Sequence, residues 1–187
     1  TNGLVYEQVI IDLPALSEAE LQLIPLYSNC LTELGCDGKS YQDTQAWQSQ
    51  VCGSISAYSS VRGSIEDEQK VSGYMTLSAK ALLSKQAEMT ELVHKTLTSV
   101  RFDELSRIRE LVSQQRTRKE QSVTGQGHSL AIMAAVSQLS PGGLLSHNLR
   151  GLQSIRAVKE LDESIRDESN LKQLARSLEA LHQKLLN

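Results

Sequence analysis

Hydrophobic positions change their spacing several times along this chain, and each change marks an element. Residues 4–13 carry apolar side chains at alternate positions on both faces, with Val5, Val9, Ile11 and Leu13 on one and Leu4, Tyr6 and Ile10 on the other. Such a run predicts a strand buried on both sides, ended by Pro14. Ser17 followed by Glu20 has the form of a capping box, which supplies oxygens to the free N–H groups at a helix start. Leu21, Ile24, Tyr27, Leu31 and Leu34 then recur at helical spacing, and Gly35 stands where a helix C-cap would be. Pro25 removes one backbone hydrogen bond inside this helix and predicts a kink rather than a break.

Residues 41–52 read as a second, shorter helix. Two period-two runs follow. In residues 54–61, Ile55, Ala57 and Val61 share a face; in residues 71–79, Val71, Met75, Leu77 and Ala79 share one, with Ser72, Tyr74, Thr76 and Ser78 opposite. The polar, acidic segment between them, with Glu66, Asp67 and Glu68, makes the pair an antiparallel hairpin.

Everything beyond about Ser84 reads as helix. Met89, Val93, Leu97 and Val100 define one face, and Asp103 is placed to cap a helix in which Leu105, Ile108 and Val112 recur. Residues 129–138 form another, stopped by Ser140-Pro141-Gly142-Gly143, and shorter helices follow at 144–150 and 152–161. The last, 167–186, carries a stripe of Leu171, Leu174, Leu178, Leu181 and Leu185. It spans too few heptads for a coiled-coil seam, so it is expected to dock on its own domain. The order of elements predicts an α+β fold: an antiparallel sheet, with strands near 4–13, 54–61 and 71–79, covered by helices and followed by a helical C-terminal half. At 187 residues the chain is read as a single domain, 1–187.

Composition narrows this picture. Hydrophobic residues make up 40% but aromatic ones only 4%, so the core must be aliphatic. A formal net charge of −3 argues against nucleic acid and anionic membrane as partners. No apolar run approaches the roughly 18 residues of a membrane span. Cys30, Cys36 and Cys52 form an odd set without a C-x-x-C pair, which points to a reducing compartment: cytoplasm, or an organelle matrix in a eukaryote. The chain begins at Thr1 rather than Met, which suggests an excised piece.

The search for chemistry returns no catalytic, cofactor-binding or metal-binding residue. His94, His128, His147 and His182 lie far apart, with no H-E-x-x-H or H-x-x-E-H pattern to place two imidazoles on one helix face. His94 and His182 are read as surface or half-buried structural residues, and His128 as a loop residue or the orienter of a helix start. No G-x-S-x-G elbow is present, and Cys30 and Cys52 read as small packing residues. Gly125-Gln126-Gly127 lacks a third glycine and a preceding strand, so it reads as a turn between helices. The basic run Arg107, Arg109, Arg116, Arg118 and Lys119 is interspersed with Glu104, Glu110 and Glu120 and has no aromatics, which predicts a solvated, salt-bridged helix face. The small residues of strand 53–61 allow either helix packing or close approach by another backbone.

Several segments, taken in order, resemble one family. They are Gly3-Leu4-Val5-Tyr6 with Asp12-Leu13-Pro14, Ile24-Pro25-Leu26, Leu34-Gly35 and Gly53-Ser54-Ile55-Ser56-Ala57. Gly127-His128-Ser129, Leu139-Ser140-Pro141, Gly151-Leu152 and Ile155-Arg156 continue the series. Together they resemble the first domain of the C-terminal, non-catalytic half of presequence protease-like members of the insulinase and pitrilysin-like zinc metallopeptidase family. The resemblance implies four related α+β domains in two bowl-shaped halves closing around an unfolded peptide. It places zinc in the parent's N-terminal domain, on an inverted H-x-x-E-H motif and a distant Glu. It assigns this chain to the chamber wall, beside other domains of the same chain, with its sheet incomplete. Two further readings stand beside it: a free-standing helical protein-interaction module without catalysis, and an independent hydrolase using Cys52 or His128. An upstream H-x-x-E-H would favour the first reading, and a start codon at this N-terminus the second.

Overall fold

A computed structural model describes residues 2–63, 66–67 and 69–186. Its elements run β1 (Leu4–Asp12), α1 (Glu18–Glu33), α2 (Tyr41–Val51), β2 (Ser54–Gly63) and β3 (Val71–Leu82). A single 3₁₀ turn, Leu83–Lys85, leads into α3 (Gln86–Thr98), α4 (Leu105–Gly125), α5 (Gly127–Val136), α6 (Pro141–Arg150), α7 (Leu152–Ser164) and α8 (Glu168–Leu186). The fold is α+β, as the order of patterns predicts. The three strands pair antiparallel in the order β1–β3–β2, which puts β3 in the centre. Glu66 and Asp67 lie in the β2–β3 connection, where Asp67 accepts from the Gln69 and Lys70 amides; Glu68 lies outside the described residues.

The odd-numbered sheet face carries the core. Met75, Leu77, Ala79 and Ala81 of β3 are buried, with Val5, Val9 and Ile11 of β1 and Ile55 and Ala57 of β2 packed beside them. Helix α1 covers this face with Ile24, Tyr27 and Leu31, all buried. The capping box at Ser17 is present in both directions: the Glu20 amide donates to the Ser17 hydroxyl and the Ser17 amide to the Glu20 carboxylate. Pro25 sits inside the helix, which continues through it to Glu33. Helix α8 docks with its whole stripe buried, Leu171, Leu174, Leu178, Leu181 and Leu185.

Several local expectations are corrected. Strand β1 is half-buried on one face and open on the other, where Tyr6 and Ile10 are 65% and 60% exposed on a sheet side that no described helix covers. Asp103 does not cap α4: it pairs with Arg101, and Glu104 occupies the N-cap position without a capping bond of its own side chain. Val100 does not extend the α3 stripe, since that helix ends at Thr98 and Val100 forms an antiparallel bridge with Cys36. Ser140-Pro141-Gly142-Gly143 starts a helix as well as stopping one, with Pro141 in the first turn and the Gly143 amide donating to Ser140 Oγ at 3.1 Å. Helix α1 ends one residue earlier than Gly35 suggests, with Leu34 as its C-cap. Glycine is required at 35 for space, because a methyl group there would run into the Lys39 carbonyl oxygen.

Candidate functional site

The even-numbered face of the sheet is the broadest open feature the strands create. The register aligns Ile10, Thr76 and Tyr58 in one cross-strand row and Gln8, Ser78 and Ser56 in the next. Tyr6, Ile10, Tyr58 and Leu82 are exposed, whereas Thr76 is buried between its two large neighbours. This face carries hydroxyls and apolar side chains that can lie against another domain or an extended chain, together with Lys80, which the register sets opposite Tyr6 and Ser54. Strand β2 is also an edge strand, and Arg150 of α6 already donates to its Ser59 carbonyl at 2.6 Å.

None of the other candidate groups assembles into a reactive cluster. His94 and His128 are exposed, on α3 and at the start of α5, and His147 lies on α6. Burial pushes the Cys30 thiol up to about 12 and raises those of Cys36 and Cys52, which disfavours the thiolate. Among the described residues no three His, Cys, Asp or Glu side chains gather closely enough to hold a metal ion. No described helix is long and apolar enough to cross a membrane.

His182 departs most from its expected role, because it is buried at 4% exposure with Nδ1 2.9 Å from the Tyr27 hydroxyl. Desolvation lowers its pKa, with Glu179 opposing. The folded protein therefore holds the neutral ring, while the unfolded chain takes up its proton near pH 6.5, about the ordinary histidine value. The stabilising contribution is fully present above that pH and is lost as pH falls through the folded value, because the unfolded state then binds more protons. Urea unfolding of the unmodified chain and of His182→Leu, compared from about pH 7.5 to about pH 5, is expected to show a shallower pH slope for the variant. Parallel slopes would show that His182 does not titrate differently on folding.

The basic run of α4 is only partly a solvated face. Arg107 pairs with Glu110 at 3.0 Å as expected, but also with Glu33 of α1 at 2.6 Å, and stacks on the Tyr41 ring. Arg116 pairs with Glu120 and with Asp162 of α7. Glu104 pairs with none of these cations. It accepts instead from the amides of Gly35 at 2.6 Å and Tyr41 at 2.9 Å. Lys119 turns inward, donating to Ser154 Oγ at 2.6 Å and to the Leu149 carbonyl at 3.4 Å, and Ser154 in turn donates to the Gly151 carbonyl. The signal for Lys119 lies in the spacing, since Ile108, Val112, Gln115 and Lys119 follow one helical face.

Comparison with known proteins adds the family. The profile described as "Peptidase M 16C associated" matches residues 1–161. "Presequence protease 1, chloroplastic/mitochondrial" of Arabidopsis thaliana is 27% identical over 195 residues, covering 100% of this chain and 18% of that protein. "Presequence protease, mitochondrial" of Mus musculus is 26% identical, covering 100% of this chain and 18% of its own length. The Candida albicans protein of the same name is 26% identical over 90% of this chain and 17% of its own. The chain thus spans less than a fifth of the length of these curated relatives. With a family profile matched from the first strand into α7, this chain belongs to the Peptidase M 16C associated family.

Proposed function

We propose that residues 1–187 form a single, non-catalytic structural domain of a peptide-degrading zinc metalloendopeptidase, and that the domain contributes part of the wall of its enclosed peptide-binding chamber. The observation that carries this reading is the sheet: one face is packed by helices, and the other is open and studded with Tyr6, Ile10 and Tyr58. An open face of this kind suits contact with other domains of the same chain or with unfolded peptide, and contacts remote from the reacting bond contribute to binding and orientation there. The parent's zinc and its ligands are assigned to another domain, and no residue of this chain is given a catalytic, cofactor-binding or metal-binding role. The names of the relatives support an organelle matrix as the setting.

The test has two parts. Metal analysis of this chain is expected to find no stoichiometric zinc, and a tightly held zinc would overturn the non-catalytic assignment. In the full-length protein, a photo-crosslinker at position 58 is expected to capture a bound peptide, whereas one at the exposed Lys172 of α8 is not. Equal capture at both positions would remove the chamber wall from the proposal.

A further inference from the structure

Helix α4 passes α1, α6 and the edge strand β2 beside an open cavity of about 470 Å³. Arg118, Lys119 and Arg150 line it together with Asn29 and Tyr58, and no Asp or Glu does among the described residues. Both Lys119 acceptors, Ser154 Oγ and the Leu149 carbonyl, are uncharged. Among the described residues, the Arg150 guanidinium donates to a backbone carbonyl, that of Ser59, and to no carboxylate. The Asn29 Nδ2 group is buried without a partner. The charged side chains lining this place are all cations, and they repel one another, while the acceptors beside them are uncharged.

Burial, and secondarily the charge of Arg150, lowers the Lys119 ammonium to about 8. Glu160 lines a neighbouring cavity that Lys119 also borders, but among the described residues the Lys119 ammonium donates to Ser154 Oγ and the Leu149 carbonyl instead. A partly desolvated ammonium without a counter-ion is costly, and convergent Lys and Arg side chains are the usual means of holding carboxylate or phosphate groups through charge-assisted hydrogen bonds.

We propose that the cavity formed by Arg118, Lys119, Arg150 and Asn29 is a binding site for a small, multiply charged oxoanion of the phosphate or carboxylate class. The anion supplies the missing counter-charge to Lys119 and Arg150 and an acceptor for Asn29. The site depends on this chain's own side chains and not on the chamber role.

The experiment is calorimetric titration of the full-length protein with pyrophosphate and, separately, with succinate, at low ionic strength and against chloride at matched ionic strength. Saturable binding of at least one is expected, with affinity falling as salt rises. Preferential binding of pyrophosphate would assign the phosphate class, and of succinate the carboxylate class. Lys119→Met and Arg150→Gln are each expected to weaken binding about tenfold or more, the effect of losing one charged hydrogen-bond donor. Arg150 is exposed, so its variant keeps the test open if Lys119→Met folds poorly. Acetylation of Lys119, followed by mass spectrometry, is expected to slow when the bound anion is present. The absence of saturable binding by either anion would overturn the proposal, as would unchanged affinity in both variants.

Discussion

Replacing Tyr27 by alanine is expected to lower the unfolding free energy of this chain by about 3–5 kcal/mol, the range for removing a large aromatic side chain from a packed core. Tyr27 is 0% exposed, and its ring lies 6.3 Å from that of Phe102 and 6.0 Å from that of His182. Phe102 and His182 are themselves 5.5 Å apart, so the three rings join α1, the turn before α4, and α8. With three separate segments held against each other, the space left by truncation has little room to collapse. Tyr27→Phe separates the ring from its hydroxyl. It keeps the packing but leaves His182 Nδ1 without its 2.9 Å partner, at a cost of about 1–3 kcal/mol for a buried group left unsatisfied. Urea unfolding should therefore order the proteins as unmodified, Tyr27→Phe, Tyr27→Ala. If the phenylalanine variant matched the unmodified chain, the hydrogen bond would contribute nothing net, and the pH slope assigned to His182 would rest on its burial alone.

The same cluster marks where sequence reading stops. Helices and strands were legible because their signals are local: the alternation of Val5, Val9 and Ile11, the box at Ser17 and Glu20, and the leucine stripe of α8 each need only a short window. Tyr27 and His182 are 155 positions apart, and neither window contains the other. His182 reads as a polar residue beside a leucine stripe until α1 brings it a partner. Lys119 reads from its charge and its glutamate neighbours as part of a solvated face, although its spacing from Ile108 and Val112 sets it on the packed side of α4. Tyr6 and Ile10 show the opposite error. Their apolar character predicted burial, while exposure depends on what packs over the sheet, a property absent from the strand itself. The candidate site shared this fate: an open face and a carboxylate-free cavity arise from several elements, and no motif encodes either.

Glu104→Ala is expected to cost about 2–4 kcal/mol, although the residue reads from sequence as one more surface carboxylate beside basic neighbours. Its two oxygens accept from the amides of Gly35 and Tyr41, which are 69 and 63 positions away, and this contact ties the end of α1 and the start of α2 to the start of α4. Neither amide can be satisfied at that position by a methyl group, and the backbone has little freedom to turn them elsewhere. Gly35 also gives its carbonyl to the Arg101 amide at 2.8 Å, and a side chain at 35 would meet the Lys39 carbonyl. Glu104→Gln keeps one carbonyl oxygen and turns an NH₂ group toward the second donor, so its cost should fall between those of the unmodified and alanine proteins. Asp103→Ala is the discriminating control. Its carboxylate pairs with Arg101 at 67% side-chain exposure, where an ion pair contributes about 0–1 kcal/mol. Hydrogen exchange supplies a site-specific readout: the Gly35 and Tyr41 amides should lose protection in Glu104→Ala and retain it in Asp103→Ala. If the two alanine variants were equally stable, the carboxylate at 104 would be a surface charge after all, and the tie between α1, α2 and α4 would rest on apolar packing alone.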